Sequence, residues 1–402
     1  MSAHHHHRSE VPIFRLGSGA ASVERISGVV GGVGLLLCVA GYFANRAEFF
    51  QSYLFAFQYW GGFAFGGLAV LLINNVTGGK WGVTIRRLLE AKMRTLPVVF
   101  VLFLPILLGL PYLYPWANDT IHINKVVAHK APYLNPAFFT IRVFIYFAIW
   151  ILIGRRVQKM TDQQDETGDP TLVVRLRQFS APTLLAFVVT GTLAFIDWVL
   201  STDPEFYSTV FGALILIGDV LQTFALSIIV LILISREDRF GDRIGPKILH
   251  DLGNLMFAFT IFWAYLSASQ LIIIWPADLP QEIGYYLLRT RGFWRYLSWA
   301  LGLSMFAIPF LALLSQNRKR DPKRLIRVAV WILLARLLDV FWVVEPTFRN
   351  KGFALYWTDF AAFFGVGGIW LFVYLGQLRR RPLLPLHDPR LPEPERVREL
   401  VA

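Results

Sequence analysis

The chain has 402 residues, 55% of them hydrophobic and only 16% charged, with a net charge of +12. A soluble chain of this size carries about 25% charge, so the composition excludes an ordinary soluble globular protein. The single cysteine, Cys38, excludes an internal disulfide or a Cys-ligated cluster and reads as a small buried hydrophobe, and no CxxCH sequence exists for a c-type haem.

In chain order, the start MSAHHHHRSE has four consecutive histidines and no apolar run before about Ile26, so it does not read as a signal peptide, and residues 1–25 are expected to be a cytoplasmic N-terminal segment. Ten apolar runs follow, at 26–44, 51–74, 97–115, 138–154, 180–201, 208–235, 252–275, 293–315, 325–344 and 355–377. Each is near the roughly 20 residues that cross a bilayer core, and each is predicted helical because isolated strands cannot satisfy their backbone in lipid. The fold class is an all-α polytopic membrane protein with a ten-helix membrane domain over 26–377. The tail from 378 to 402 is rich in Pro and Arg and is expected to lie extended on a partner or on anionic headgroups. No soluble domain is visible between the spans.

Lys and Arg set the orientation. Of the 39, 29 fall in the N-terminus, the tail and the loops 75–96, 155–179, 236–251 and 316–327, and 8 fall in the alternate loops. Both ends are therefore expected on the cytoplasmic side, and the basic charge reads as topological anchoring rather than as a nucleic-acid surface. Trp60, Trp81, Trp116, Trp198, Trp275, Trp294, Trp342 and Trp357 lie near span ends and are expected to sit at the interfaces.

A membrane b-type haem needs paired histidines on facing helices. Apart from His4 to His7, the histidines are His122, His129, His250 and His387, and His250 alone sits at a span end. The chain is thus expected to carry no metal cofactor of its own.

Charges inside a bilayer cost at least about 2.5–3.5 kcal/mol each on insertion scales, so they pair or line wet cavities. Arg336 and Asp339 share one face of span nine at i, i+3. Arg336 is about 16 Å from Leu325, near the midplane. The pair reads either as a structural ion pair or as part of a proton relay. Asp219 lies at similar depth in span six, with Gln222 a turn on and Ser227 loosely on the same side. It is either a proton-handling carboxylate or the partner of Arg336 or Arg142. Asp197 lies a turn inside the end of span five, and Asp203-Pro204 marks a turn with Asp203 and Ser208 as possible caps. His250 and Asp251 at the start of span seven read as a favourable helix-start charge or as a proton access point. Tyr265, Ser267, Ser269 and Gln270 make the far half of that span polar, a pattern that suits two half-channels. Arg142 and Asp359, near span ends, read as snorkelling or interface pairs.

The segment Asp197-Trp198-Val199-Leu200-Ser201-Thr202-Asp203-Pro204, followed by Tyr207-Ser208-Thr209-Val210-Phe211-Gly212, resembles the ActF subunit of bacterial alternative complex III. So does His250-Asp251-Leu252-Gly253-Asn254-Leu255, leading through Phe262-Trp263-Ala264-Tyr265 to Ser269-Gln270 and Trp275. A third match joins Ile308-Pro309-Phe310 to Leu338-Asp339 and Trp342. Together these cover about 180–345. The family usually has His-Trp after the Asp-Pro turn, where this chain has Glu205-Phe206, and Asp219 rests on its position in the span rather than on the family pattern. The resemblance implies an NrfD-like architecture, with four-helix bundles at about 51–201 and 208–344 and spans one and ten peripheral. It also implies a place in a quinol:cytochrome c oxidoreductase of the bacterial inner membrane. The c-type haems and iron–sulfur clusters would belong to other subunits and the quinol site to the related ActC-type partner. ActF-like subunits are taken to be structural, with a proton-conducting role proposed. Asp197, Asp219, His250, Asp251, Arg336 and Asp339 are the candidate proton-path residues. The alternatives are a quinol-binding NrfD-like subunit, which needs a pocket with a carboxylate and a His, and a secondary transporter, which would show paired broken helices.

Overall fold

The structure is a computed structural model and describes residues 16–118, 125–236, 245–350, 352–385 and 388. His4 to His7, His122 and His387 lie outside these residues. Among the described residues the chain is helical with no strand, an all-α polytopic membrane protein. The long helices are α1 (Ser18–Ala44), α2 (Arg46–Thr77), α3 (Lys80–Met93), α4 (Leu96–Leu108), α5 (Pro136–Thr167), α6 (Thr171–Trp198), α7 (Phe211–Ile234), α8 (Pro246–Ala277), α9 (Pro280–Arg289), α10 (Gly292–Leu301), α11 (Ile308–Leu314), α12 (Pro322–Phe348) and α13 (Trp357–Arg379).

Local chemistry places the breaks. Asn45 ends α1 by donating its backbone N–H to Gly41 and starts α2 by accepting from Glu48 N–H with its side chain. Gly78 and Gly168 end α2 and α5 in the left-handed conformation, which a glycine adopts without Cβ strain. Asn135-Pro136 and Asp321-Pro322 open α5 and α12 with a side-chain cap followed by a first-turn proline.

Among the described residues, nine helical segments are long and apolar enough to cross a membrane. The predicted ninth span is not among them, although α12 has 27 residues. Any 18-residue stretch of α12 that holds Arg336 and Asp339 also takes in Arg327 or Glu345. Its neighbours inside the bundle, rather than its own hydropathy, hold it there. Third in order is Trp81–Leu108, not 97–115. Residues 80–93 are an amphipathic helix whose charged side chains pair inward, so a segment that reads as a loop is part of the bundle. The predicted loop 155–179 is also mostly helix, because α5 and α6 run on to meet at a turn of three residues, 168–170.

Two rings of helices result. In the first, α2, α4, α5 and α6 each pack on the next, with α3 beside α2. In the second, α7, α8, the α10–α11 segment and α12 do the same. The rings meet where α7 packs on α2 and α6, and α12 on α2. A layer of Phe57, Phe65, Phe103, Phe147, Trp150 and Trp198 fills the first ring with edge and stacked contacts. Trp198 is therefore fully buried, and Trp116 and Trp294 nearly so; these three are core residues, not interfacial anchors. Trp275 and Trp357 are about half exposed, in keeping with an interfacial place.

Helix α1 lies outermost, against α13, which also packs on α2. Gly31 and Gly34 meet Gly368 and Gly365, and a Cβ at Gly34 would fall on the α13 backbone. The first described residues of the tail do not extend away. Arg381 forms a two-point pair with Asp162 of α5, Leu383 and Leu384 are buried, and Asp388 accepts from Arg86 of α3 at 2.7 Å. The described residues of the expected extended tail, up to 385 and at 388, are thus docked on their own chain, because two leucines and two ion pairs hold them. Cys38 is buried, as expected of a small hydrophobe.

The α1–α13 seam gives a clean test. Gly34→Leu should cost about 1–3 kcal/mol through overpacking and lower the Tm of the detergent-solubilised protein. Gly32→Leu, on the same helix but with nothing within 4 Å of its Cβ position, should leave Tm unchanged.

Candidate functional site

Arg336 and Asp339 sit one turn apart on α12, and Asp219 reaches them from α7. Arg336 Nη2 donates to Asp219 Oδ1 at 2.9 Å and to the Ile215 carbonyl at 3.2 Å, while Nη1 donates to Asp339 Oδ2. All three side chains are buried. The partner of Asp219 is thus Arg336, not Arg142. Room for the guanidinium comes from Gly218, which packs directly against it, and room for α7 comes from Gly66, where any Cβ would meet the Asp219 carbonyl. Small residues at i and i+4, here Gly62 and Gly66, let two membrane helices approach this closely.

Polar groups continue along α7. Asp219, Thr223 and Ser227 recur at i, i+4 and i+8, a file about 12 Å long. Gln222, beside it, donates to the Tyr59 carbonyl at 3.2 Å. At the far end Lys92 of α3 donates to the Thr223 carbonyl at 3.0 Å and to Ser227 Oγ at 2.6 Å. Its side chain is fully buried, and no carboxylate pairs with it among the described residues. By formal charge, Asp219, Asp339, Arg336 and Lys92 sum to zero. Asp219 Oδ2, Gln222 Oε1, Thr223 Oγ1 and both amide atoms of Gln58 are buried without a protein hydrogen-bond partner. Clustered orphan groups of this kind are what internal water bridges. The sequence reading missed Lys92, which fell in a predicted loop.

The other candidate residues are not brought to this file. Asp197 is held by Arg142 through two bonds, 2.7 and 3.1 Å, and by the Tyr146 hydroxyl at 3.0 Å. The Arg142 guanidinium also lies 3.8 Å from the Tyr133 ring centre. This is a saturated pair within the first ring. His250 and Asp251 sit at the start of α8, 3.8 Å apart, with Asn254 at 3.3 Å from the imidazole. No hydrogen bond or ion pair joins them to Asp219 among the described residues. The half-channel pattern of span seven also dissolves. Tyr265 is mostly exposed, and Gln270 links Ser208 to the Tyr286 hydroxyl, each bond 2.9 Å. Ser208 therefore binds Gln270 and does not cap α7, whose cap position is Val210. Asp359 pairs with Arg349 through two bonds and accepts from Ser52.

Two further features frame the bundle. At the end of the first ring where the basic loops lie, Glu90 of α3 accepts from Arg86, Arg87 and Arg94, and Arg87 reaches Asp165. The docked tail covers this cluster. At the opposite end a recess of about 730 Å3 opens between the rings, lined by Thr202, Asp203, Glu205, Leu288 and Arg291 among others. Burial pushes the Asp203 carboxyl above the usual range, with the Arg289 guanidinium opposing the shift. Among the described residues no histidine lines the recess.

The fold and this buried file define a polytopic helical membrane protein built around a buried ionic cluster at the junction of two helix rings. A scan against protein-family models gives no match, and a search of curated proteins finds none similar to this chain.

Removing one partner of a buried ion pair costs about 3–5 kcal/mol because the other charge is left uncompensated. Arg336→Met, which leaves two carboxylates facing each other, should lower Tm far more than Asp219→Asn, which leaves Arg336 paired with Asp339. Thermal unfolding of both variants in one detergent checks the order.

Proposed function

We propose that this chain is a membrane subunit, without a metal cofactor of its own, of a quinol:cytochrome c oxidoreductase of the alternative complex III class, and that it moves protons through the Asp219–Arg336–Asp339 cluster. The resemblance of residues 180–345 to ActF subunits supports the place in the complex. The single observation that supports proton movement is the buried file from Asp339 through Arg336, Asp219, Thr223 and Ser227 to Lys92. Two carboxylates and an ammonium stand along it, and each exchanges a proton by chemistry that a guanidinium does not share.

In this reading the cluster is the gate. Asp219 has one oxygen on Arg336 and one free, so a proton arriving on the free oxygen weakens the ion pair and shifts Arg336 toward Asp339. Lys92 is the second station, eight residues along α7 from Asp219 at its Ser227 contact. The c-type haems, iron–sulfur clusters and quinol belong to partner subunits, including the ActC-type one. The membrane is the bacterial inner membrane, with both termini cytoplasmic, as the Lys and Arg distribution indicates. A second reading, a quinol-binding NrfD-like subunit, draws on the recess beside Asp203, which supplies a carboxylate and, among the described residues, no His.

Two measurements test this. Purification in mild detergent should bring down a large complex with c-type haem absorbance, and recovery as a single haem-free chain would contradict the assignment. In proteoliposomes of that complex, Asp219→Asn should abolish proton translocation while quinol turnover continues. Unchanged pumping would sink the relay.

A further inference from the structure

On α12, Arg324, Arg327, Val328 and Trp331 recur at i, i+3, i+4 and i+7. One face of the helix therefore passes from two guanidinium groups to two apolar side chains as it runs into the bundle. Ile308 and Ala312 of α11, themselves at i and i+4, form the facing wall. Arg318, on the short helix Gln316–Arg320 that joins the two walls, closes the charged end. Between them is a groove of about 540 Å3.

The walls are built, not incidental. Residues Gly302–Ala307 form a π-helical turn ahead of α11, and the Trp331 indole donates to the Ser304 carbonyl there at 2.9 Å. This bond fixes the ring at the groove. The three arginines are exposed. Arg324 is 3.0 Å from Asp321, the one carboxylate paired with any of them among the described residues, and Arg327 Nε donates to the Lys323 carbonyl at 3.1 Å. Arg318 has no ion-pair partner among the described residues. The groove thus has an excess of positive charge at one end and an apolar floor at the other, in a helix pair that enters the membrane at the end where basic residues gather.

We propose that this groove holds one anionic phospholipid. Its phosphate lies between Arg318 and Arg327, with Arg324 beside it, and an acyl chain runs between Val328 and Trp331 on one side and Ile308 and Ala312 on the other. Guanidinium groups suit a phosphate because they present paired N–H donors to its oxygens. Basic pockets between membrane helices take anionic headgroups for the same reason. A free phosphate would use only the charged end and gain nothing from the apolar walls.

The test uses the full chain in the complex or form in which it purifies, stripped of lipid in a neutral detergent. Phosphatidylglycerol and phosphatidylcholine with identical acyl chains are titrated, and bound lipid is counted by native mass spectrometry. Phosphatidylglycerol should bind one site about tenfold tighter than phosphatidylcholine, a difference of about 1.4 kcal/mol. Arg318→Ala with Arg327→Ala should remove that preference. Arg155→Ala with Arg156→Ala, two exposed arginines on α5 near the same membrane face, should keep it. Trp331→Ala should weaken phosphatidylglycerol binding, and millimolar inorganic phosphate should not displace the lipid. Equal loss in the two arginine pairs, equal binding of the two lipids, displacement by phosphate, or no phosphatidylglycerol uptake by the full chain would each overturn the proposal.

Discussion

One guanidinium shared by two carboxylates, at the seam between two helix rings, is the constraint on which the rest of the structure depends. A charge at the centre of a bilayer is tolerated only when neutralised and hydrogen-bonded. Arg336 meets that condition with Asp339 on its own helix, Asp219 on α7 and a carbonyl one turn below. The geometry demands that α2, α7 and α12 approach closely, and Gly62, Gly66 and Gly218 are the residues that let them. The seam also explains how α12 stays in the membrane domain although its hydropathy falls short of the other helices. Its charges are solvated by its neighbours.

The cluster holds two carboxylates to one guanidinium, and Lys92 of the other ring reaches the same helix, α7, at Thr223 and Ser227. The ammonium reaches α7 from a helix on which Glu90 pairs with Arg86 and Arg87, and with Arg94 at the helix end. The same chain therefore uses charge in three ways. Buried and balanced charge at the seam gives a polar line through an apolar bundle. Saturated pairs such as Arg142–Asp197 and Arg349–Asp359 lock helix ends. Exposed arginines at the basic end anchor the helices and line the groove beside Trp331.

Much of this was legible from the residues. Spans one, two, six, seven and ten are long apolar runs, and their helices lie where the hydropathy puts them. The i, i+3 spacing of Arg336 and Asp339 and the similar depth of Asp219 pointed to one cluster, because few charges lie at mid-membrane and each needs a partner. What hid Lys92 was the density of charge over 86–94, which lowers hydropathy to that of a loop. A signal was present: Arg86, Arg87, Glu90 and Arg94 alternate in sign at i, i+3 and i+4, the spacing of a helix whose charges satisfy one another. The buried tryptophans were misread because hydropathy cannot tell an interface from a core near a span end. The docked tail was misread because Leu383 and Leu384 are a short signal beside the arginines. The polar half of span seven was real in composition, yet Tyr265 and Gln270 lie on different faces, so no continuous line forms.

The most direct measurement of whether the two rings share one ionic unit is infrared difference spectroscopy of the carboxyl region during pH titration. A band assigned to Asp219 by its loss in Asp219→Asn should shift or change its titration when Lys92 is replaced by Met, because the proposed file puts both groups on one polar line along α7. A Lys92→Met spectrum identical to the unsubstituted protein would show that Lys92 and the Asp219 cluster are separate, and would contradict the file.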